Sequence, residues 1–381
     1  MDQRWFRWPR IYQEVYARQK LHGATEINWS RVYCGYKNGL IPDAVGLVGR
    51  GLQILNLSAI SVSGPLPDAI ADLQGLRELD LSQNLLTGPF PDLGNLSQLI
   101  RLDLSRNKLS GMLPDSLARL TELQSINLNN NKLSGPLPRK AFVAWTQLEI
   151  LHLEVNEFSG DIPDELASLQ SLRIFCARNN KLEGCIPAVI GQLGETLVAL
   201  DISNNNLAGS IPTQISQLHQ LEHFSCSYNH INGPLPPEVW DLTRLRSLHM
   251  KNNQLTGPLS AKVGGLRDLS AFSLANNFFT GPIPAELADC NLCHLQLSHN
   301  AFEGTIPATL ETLKDRVGYF DFSNNRLRGY ESAKGRGRCF GNGRALVHVV
   351  SVSNSRLPRW LLGFRAWMKG LFSFTLFRII N

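Results

Sequence analysis

The sequence contains no HExxH, no EF-hand loop, no phosphate-cradling glycine loop and no kinase catalytic-loop signature. Zincin, calcium-buffer, nucleotide-binding and kinase chemistries are therefore excluded for these residues. Its seven cysteines, at 34, 176, 185, 226, 290, 293 and 339, are odd in number and lack the paired spacing of a disulfide-framed module. Cys290-x-x-Cys293 has redox or zinc spacing, but there is no second CxxC and both residues fall inside a leucine pattern, so a packing role is expected. No apolar stretch of the length a cleavable leader requires occurs in the aromatic and basic start, Met1 to Arg10. Acid is missing from the last fifty residues, which carry nine Lys or Arg. Setting them aside leaves 28 basic against 32 acidic residues, so the body is mildly acidic although the whole chain carries +5. A body of that sign lacks the positive footprint that a phosphate backbone demands, and nucleic acid is not an expected partner.

What the sequence does have is one phrase repeated twelve times, L-x-x-L-x-L-x-x-N-x-L-x-G-x-I/L-P. The clearest copy reads Leu99, Leu102, Leu104, Asn107, Leu109, Gly111, Leu113, Pro114. The asparagine recurs at Asn84, Asn107, Asn131, Asn156, Asn180, Asn205, Asn229, Asn253, Asn277, Asn300 and Asn325, in steps of 23 to 25 residues, with Ile60 in its place in the first copy. So short a period without insertions implies a solenoid stabilised unit by unit, not two or three globular domains. The expected division is an N-terminal segment and degenerate cap at 1–49, repeats at 50–329, a basic Gly/Arg-rich linker at 330–358 and an apolar, basic tail at 359–381.

Within each copy the L-x-L step has the period of a strand, with leucines inward and the residues around them outward. Stacked copies give one curved parallel sheet, about 50–55 Å long at the usual strand spacing. The asparagine follows the strand, where the chain turns inside the core, and its carboxamide can both donate and accept there. Leaving such a buried group unpaired costs roughly 1–3 kcal/mol, which makes the register structural. The Gly-x-I/L-Pro segment reads as extended chain on the convex side, and Asp115-Ser116-Leu117-Ala118-Arg119-Leu120 as one short helical turn. The fold class is thus an α/β solenoid: a right-handed superhelix with a concave parallel sheet and short helical or 3-10 turns outside.

These motifs resemble the plant-type subclass of leucine-rich repeats, found in receptor-like kinase ectodomains, receptor-like proteins and polygalacturonase-inhibiting proteins. The resemblance spans about residues 50 to 329. It implies that the strand face recognises a protein, peptide or small hormone and that the repeats carry no chemistry. Asn28-Trp29-Ser30-Arg31-Val32-Tyr33-Cys34 looks like the remnant of that family's cap, with Ile27 standing where its first cysteine would be and Arg31 where its glycine would be. No cofactor and no metal is expected.

Selectivity must then lie in the outward positions around each strand. Between the fifth and ninth repeats these present Ile150, His152, Glu154, Val155, Ile174, Arg178, His223, Tyr228, His249 and Lys251, a mixture of apolar, aromatic and cationic groups suited to an interface. The first repeats read as plain and polar. Histidines on such a face could make binding depend on pH between 5 and 7. Ser247, His223 and Asp201 imitate the residue types of a nucleophilic triad, but an open strand face offers neither an oxyanion hole nor a dry pocket.

The tail from Trp360 to Ile380 is apolar, yet Arg365 and Lys369 near its middle oppose a bilayer span. A helix lying in an anionic membrane interface, a terminal cap, or residues read past the end of the evolved gene all fit it, and the abrupt change of composition favours the last. The expected function is a non-enzymatic scaffold binding a protein or peptide ligand, in signalling or defence. A membrane-associated receptor-like protein is the alternative, and a hydrolase on the strand face the minor one. The compartment stays open: cell surface if the N-terminus is incomplete, cytoplasmic otherwise.

Overall fold

The computed structural model describes residues 25–28, 39–41, 43–313 and 318–330. The cap remnant from Trp29 to Cys34, the basic linker beyond Tyr330 and the tail lie outside the described residues. One parallel sheet of 13 short strands forms the inner face, each strand pairing with the next in chain order from Glu26–Asn28 to Tyr319–Asp321. Twelve of these strands are the L-x-L steps. The thirteenth comes from the N-terminal segment, and Glu26, Ile27 and Asn28 stand opposite Ile54, Leu55 and Asn56.

The pairing is in strict register. Leu79, Leu102, Ile126, Leu151, Phe175, Leu200 and Phe224 follow one another across the sheet, all buried. Alternation along a strand places their neighbours on the other side, so the inner curve is lined by the first and third residue of every strand. The core between the two faces is almost wholly leucine, isoleucine and phenylalanine. Removing one fully buried leucine side chain from such packing costs about 2–5 kcal/mol.

Each asparagine behaves as a junction between adjacent coils. Asn205 Nδ2 donates to the carbonyls of Ala177 (3.1 Å) and Ile202 (3.1 Å), while its Oδ1 accepts from the Leu182 amide at 3.0 Å. The same pattern runs from Asn84, which bonds to Leu57 O and Val62 N, to Asn325, which bonds to Leu297 O and Phe302 N. The residue just before each asparagine has positive φ, between 52° and 57° from Gln83 to Asn324. That conformation tilts the carboxamide into the coil, and Asn itself occupies the place in six copies, among them Asn130, Asn252 and Asn276.

Two features of the convex side lie outside the sequence expectation. The Gly-x-Pro segments are not merely extended: they pair in parallel with their neighbours into two further sheets, of seven and six strands, which divide between Lys181–Glu183 and Ala208–Gly209. Glycine is needed there because the chain turns outward at positive φ, as at Gly111 (φ 79°). Secondly, the Asp that heads such turns as Asp68–Asp72, Asp115–Arg119 and Asp164–Ser168 does not cap them. Proline occupies the capping place in most turns, as Pro114 does before Asp115–Arg119 with φ −75° and ψ 148°, and makes no side-chain hydrogen bond. Ser260 departs from this, accepting from the Lys262 amide at 3.2 Å. The acidic residue instead sits inside the first turn, where its charge suits the exposed amides. One turn, Arg139–Ala144, is α-helical and brings Trp145 into the core, where its Nε1 donates to Leu117 O at 3.0 Å.

Candidate functional site

Curvature decides which inner residues reach solvent. Side chains at the first and third strand positions lie one strand spacing, about 4.8 Å, from their counterparts on either side. Many of them bury each other: Asp201, Ser225, Ser247, Ser273 and Asp321 are buried although they point inward to the arc. The sequence-predicted patch changes accordingly. Val155 (36% exposed) and Tyr228 (49%) stand out from the face, and Ile150, His152, Ile174, His223, His249 and Lys251 are half-buried. Glu154, expected at the surface, is buried, and the Arg178 side chain is only 13% exposed, 3.9 Å from the Asp201 carboxylate. Ten residues that read as one exposed mixture are thus a few projecting groups over a polar floor.

That floor has its own chemistry. His152 Nδ1 is hydrogen-bonded to Glu154 Oε1 at 2.9 Å, and Cys176 lies directly across the strand pair from His152. Burial opposes a charge on His152, but the Glu154 bond and carboxylate outweigh it and hold the imidazole above its ordinary range. Burial pushes the Cys176 thiol well up, and the Glu154 and Asp201 charges add to this. Burial likewise raises the Asp201 carboxyl, against its bonds to Ser203.

Toward the C-terminal end, Lys251 Nζ sits 5.2 Å from the centre of the Tyr228 ring, a cation–π contact that fixes both at the rim. His294 stacks on Tyr319 with centroids 4.9 Å apart. The expectation of histidines titrating between pH 5 and 7 fails for His223 and His249. Burial, then Arg246, lowers His223 to about 4. Burial, then His294, Lys251 and His223, lowers His249 to about 3.

The sequence reading missed a trough of about 350 Å³ in the first five repeats, lined by Glu78, Asp80, Arg101, Asp103, Asn127 and His152 among others. Its acids are close neighbours. Asp103 accepts from Asn127 Nδ2 at 3.0 Å, and burial, reinforced by Asp80, raises its carboxyl. Arg101 pairs with Glu78 at 3.1 Å on the open side. Two aspartates and a glutamate on adjacent coils were legible as a signal, since Asp80 and Asp103 occupy the same strand position.

The triad residues do not assemble. Ser247 Oγ and His223 Nδ1 are hydrogen-bonded at 2.8 Å on first strand positions. Asp201, however, is at a third position, aligned with Ser225, and its Oδ1 accepts from the Ser203 amide at 3.1 Å. The Ser247 amide donates to Glu222 O within the sheet, so it cannot serve an oxyanion.

Comparison with known proteins agrees with this architecture. A profile described as Leucine rich repeat matches residues 91–133, and a second, described as Leucine Rich Repeat, matches 75–96, 147–169, 196–218, 220–242 and 291–313. A search of curated proteins found no match. Among solved structures, the plant peptide hormone receptor RGFR1 in complex with RGF2 superposes with a TM-score of 0.72 at 32% identity, covering 79% of this chain and 51% of that one. The Arabidopsis receptor kinase HAESA, in complex with the peptide hormone IDA and the co-receptor SERK1, gives 0.66 at 30% identity over 76% and 53%. The Leptospira interrogans LRR protein LIC12759 gives 0.50 at 26% identity over 82% and 93%. This chain spans about half the length of the two plant receptor chains. With the unbroken asparagine register and the in-register concave sheet, these matches establish that the chain belongs to the leucine-rich repeat proteins, and to their plant-type subclass.

Proposed function

We propose that this chain is a non-enzymatic recognition scaffold that holds an extended peptide, or a protein segment, along its inner curve, in signalling or defence. The observation that carries the reading is the division of charge along one continuous face. Glu78, Asp80 and Asp103 gather in the trough of the early repeats, and Tyr228 projects from the later ones with the half-buried Lys251 against its ring. The strand amides are consumed by the sheet, as Ser247 N is by Glu222 O, so a ligand here is read by side chains and not by strand addition. A basic group toward one end, with an acidic or aromatic group toward the other, fits that order. The solved complexes of RGFR1 and HAESA with peptide hormones support the ligand class.

The test is a selection of displayed random peptides on the immobilised full chain, with two variants. Asp80→Asn/Asp103→Asn keeps the oxygens that accept from the Ser82 and Ser105 amides while removing charge. Tyr228→Ala/Lys251→Ala clears the rim. Selected peptides are expected to lose about tenfold or more in affinity, ~1.4 kcal/mol, on each, with the melting transition moved by less than about 2 °C. Peptides that bind both variants as tightly as the native chain would discard the concave face as the site. The receptor identity of the solved relatives supports a narrower reading as a membrane-associated receptor-like protein. Cell-surface labelling of the full chain decides it. Among the described residues no helix is long and apolar enough to cross a membrane.

A further inference from the structure

The floor beneath the middle of the concave face brings together three metal-ligating side chains from two adjacent coils. His152 and Cys176 are paired across neighbouring strands, and the chain leaving the first of these strands returns Glu154 to the same side. One ligating atom from each lies within 4.8 Å of the other two, the one such grouping of three His, Cys, Asp or Glu among the described residues. A second observation points to a ligand. Glu154 is 3% exposed, its Oε1 is hydrogen-bonded to His152, and its Oε2 is buried with no hydrogen-bond partner. A buried carboxylate oxygen without a donor is unfavourable, and it is relieved by a cation.

We propose that His152, Glu154 and Cys176 bind a borderline divalent cation, zinc by the chemistry of the donors. Imidazole nitrogen, carboxylate oxygen and thiolate sulfur form a recognised zinc donor set, and three protein ligands leave a fourth position free. That position faces the trough, because His152 lines its wall while Leu151 and Phe175 close the core side. Tetrahedral zinc holds its ligand atoms about 3.3–3.7 Å apart. The widest present separation must therefore shorten by about 1 Å, which the torsions of Glu154 and His152 allow. Binding exchanges the His152–Glu154 hydrogen bond for two metal bonds: the Nδ1 proton leaves to solvent, and the neutral imidazole keeps its hydrogen on Nε2. The Cys176 S–H proton leaves to solvent, and a metal–sulfur bond replaces it. The divalent charge is then matched by one carboxylate and one thiolate. The nearby Arg178 guanidinium remains balanced by Asp201, so no unmatched charge is left in the floor.

The full chain is dialysed against Zn²⁺ and, separately, Co²⁺ under reducing conditions. One equivalent of tightly held metal is expected. A near-ultraviolet thiolate-to-cobalt band should vanish in Cys176→Ser, and Glu154→Gln, which keeps shape and loses charge, should weaken binding about 10–100-fold. No bound metal in the native chain, or metal bound equally by Cys176→Ser, overturns the proposal. If Cys176→Ser loses its far-ultraviolet circular dichroism, zinc-edge absorption of the native complex decides. One sulfur with imidazole in the metal shell supports the site, and a shell without sulfur overturns it.

Discussion

Val155 occupies the one turn position at which a β-branched residue is most disfavoured, and replacing it tests the backbone logic of the coil. Its φ is 57°, the same as at the asparagines Asn130, Asn179 and Asn252 (56° each) in equivalent places. The left-handed conformation costs an L-residue roughly 1–2 kcal/mol, and Asn escapes much of this because its short polar side chain bonds locally. The Val155 amide is fixed by its bond to Arg178 O (3.0 Å), so the strain has no local release. Val155 is 36% exposed, and exchange for the similarly sized Asn forfeits little burial. Val155→Asn is therefore expected to stabilise the chain by about 1 kcal/mol, and the reciprocal Asn252→Val to destabilise it by about the same amount. Urea unfolding of the full chain measures both. Because coil stabilities add between neighbours, hydrogen exchange at the Asn156 and Asn253 amides localises each effect. If both variants fall within about 0.3 kcal/mol of the native chain, strain at this position is not what separates asparagine from valine, and Val155 cannot be read as a residue held against its conformational preference.

Asn205→Ala leaves the Leu182 amide without its acceptor, while Ala177 O and Ile202 O keep the Nδ2 donors of Asn180 and Asn229, and a loss of about 1–3 kcal/mol is expected in urea. The exposed neighbour Asn206→Ala should change less than about 0.5 kcal/mol, and equal effects would show the ladder to be dispensable. His223, His249 and His294 are held neutral at about 4, 3 and 4, below the unfolded value near 6.5. The unfolded chain thus binds more protons below pH 6.5. Their contribution is complete above that pH and is lost as pH falls from 6.5 toward 4, with a slope of up to about 1.4 kcal/mol per unit for each. A urea midpoint unchanged between pH 7 and pH 5 contradicts this, and His249→Asn should flatten the dependence. Trp145→Phe removes the donor to Leu117 O and opens space beside Phe142, so a loss of about 2–3 kcal/mol in the thermal or urea transition is expected.

Much of the molecule could be read from the sequence because its period is so regular. A step of 23 to 25 residues places Leu102 beside Ile126 and Asn107 beside Asn131 whatever the side chains between them are, and it orders every strand position in advance. The two sheets formed by the Gly-x-Pro segments were hidden because proline and glycine argue against strands, and pairing there depends on a neighbour one coil away. Exposure was hidden too. Glu154 and Val155 are adjacent in the sequence and both lie on the inner face, yet one is buried beside His152 and the other stands in solvent, because positive φ at Val155 turns its side chain away. The sequence alone determined which residues are neighbours, since that follows from counting along a repeat. Only the tertiary structure decided which of those neighbours meet solvent and which bury one another, since that depends on strand spacing, curvature and the direction of single turns across coils far apart in the chain.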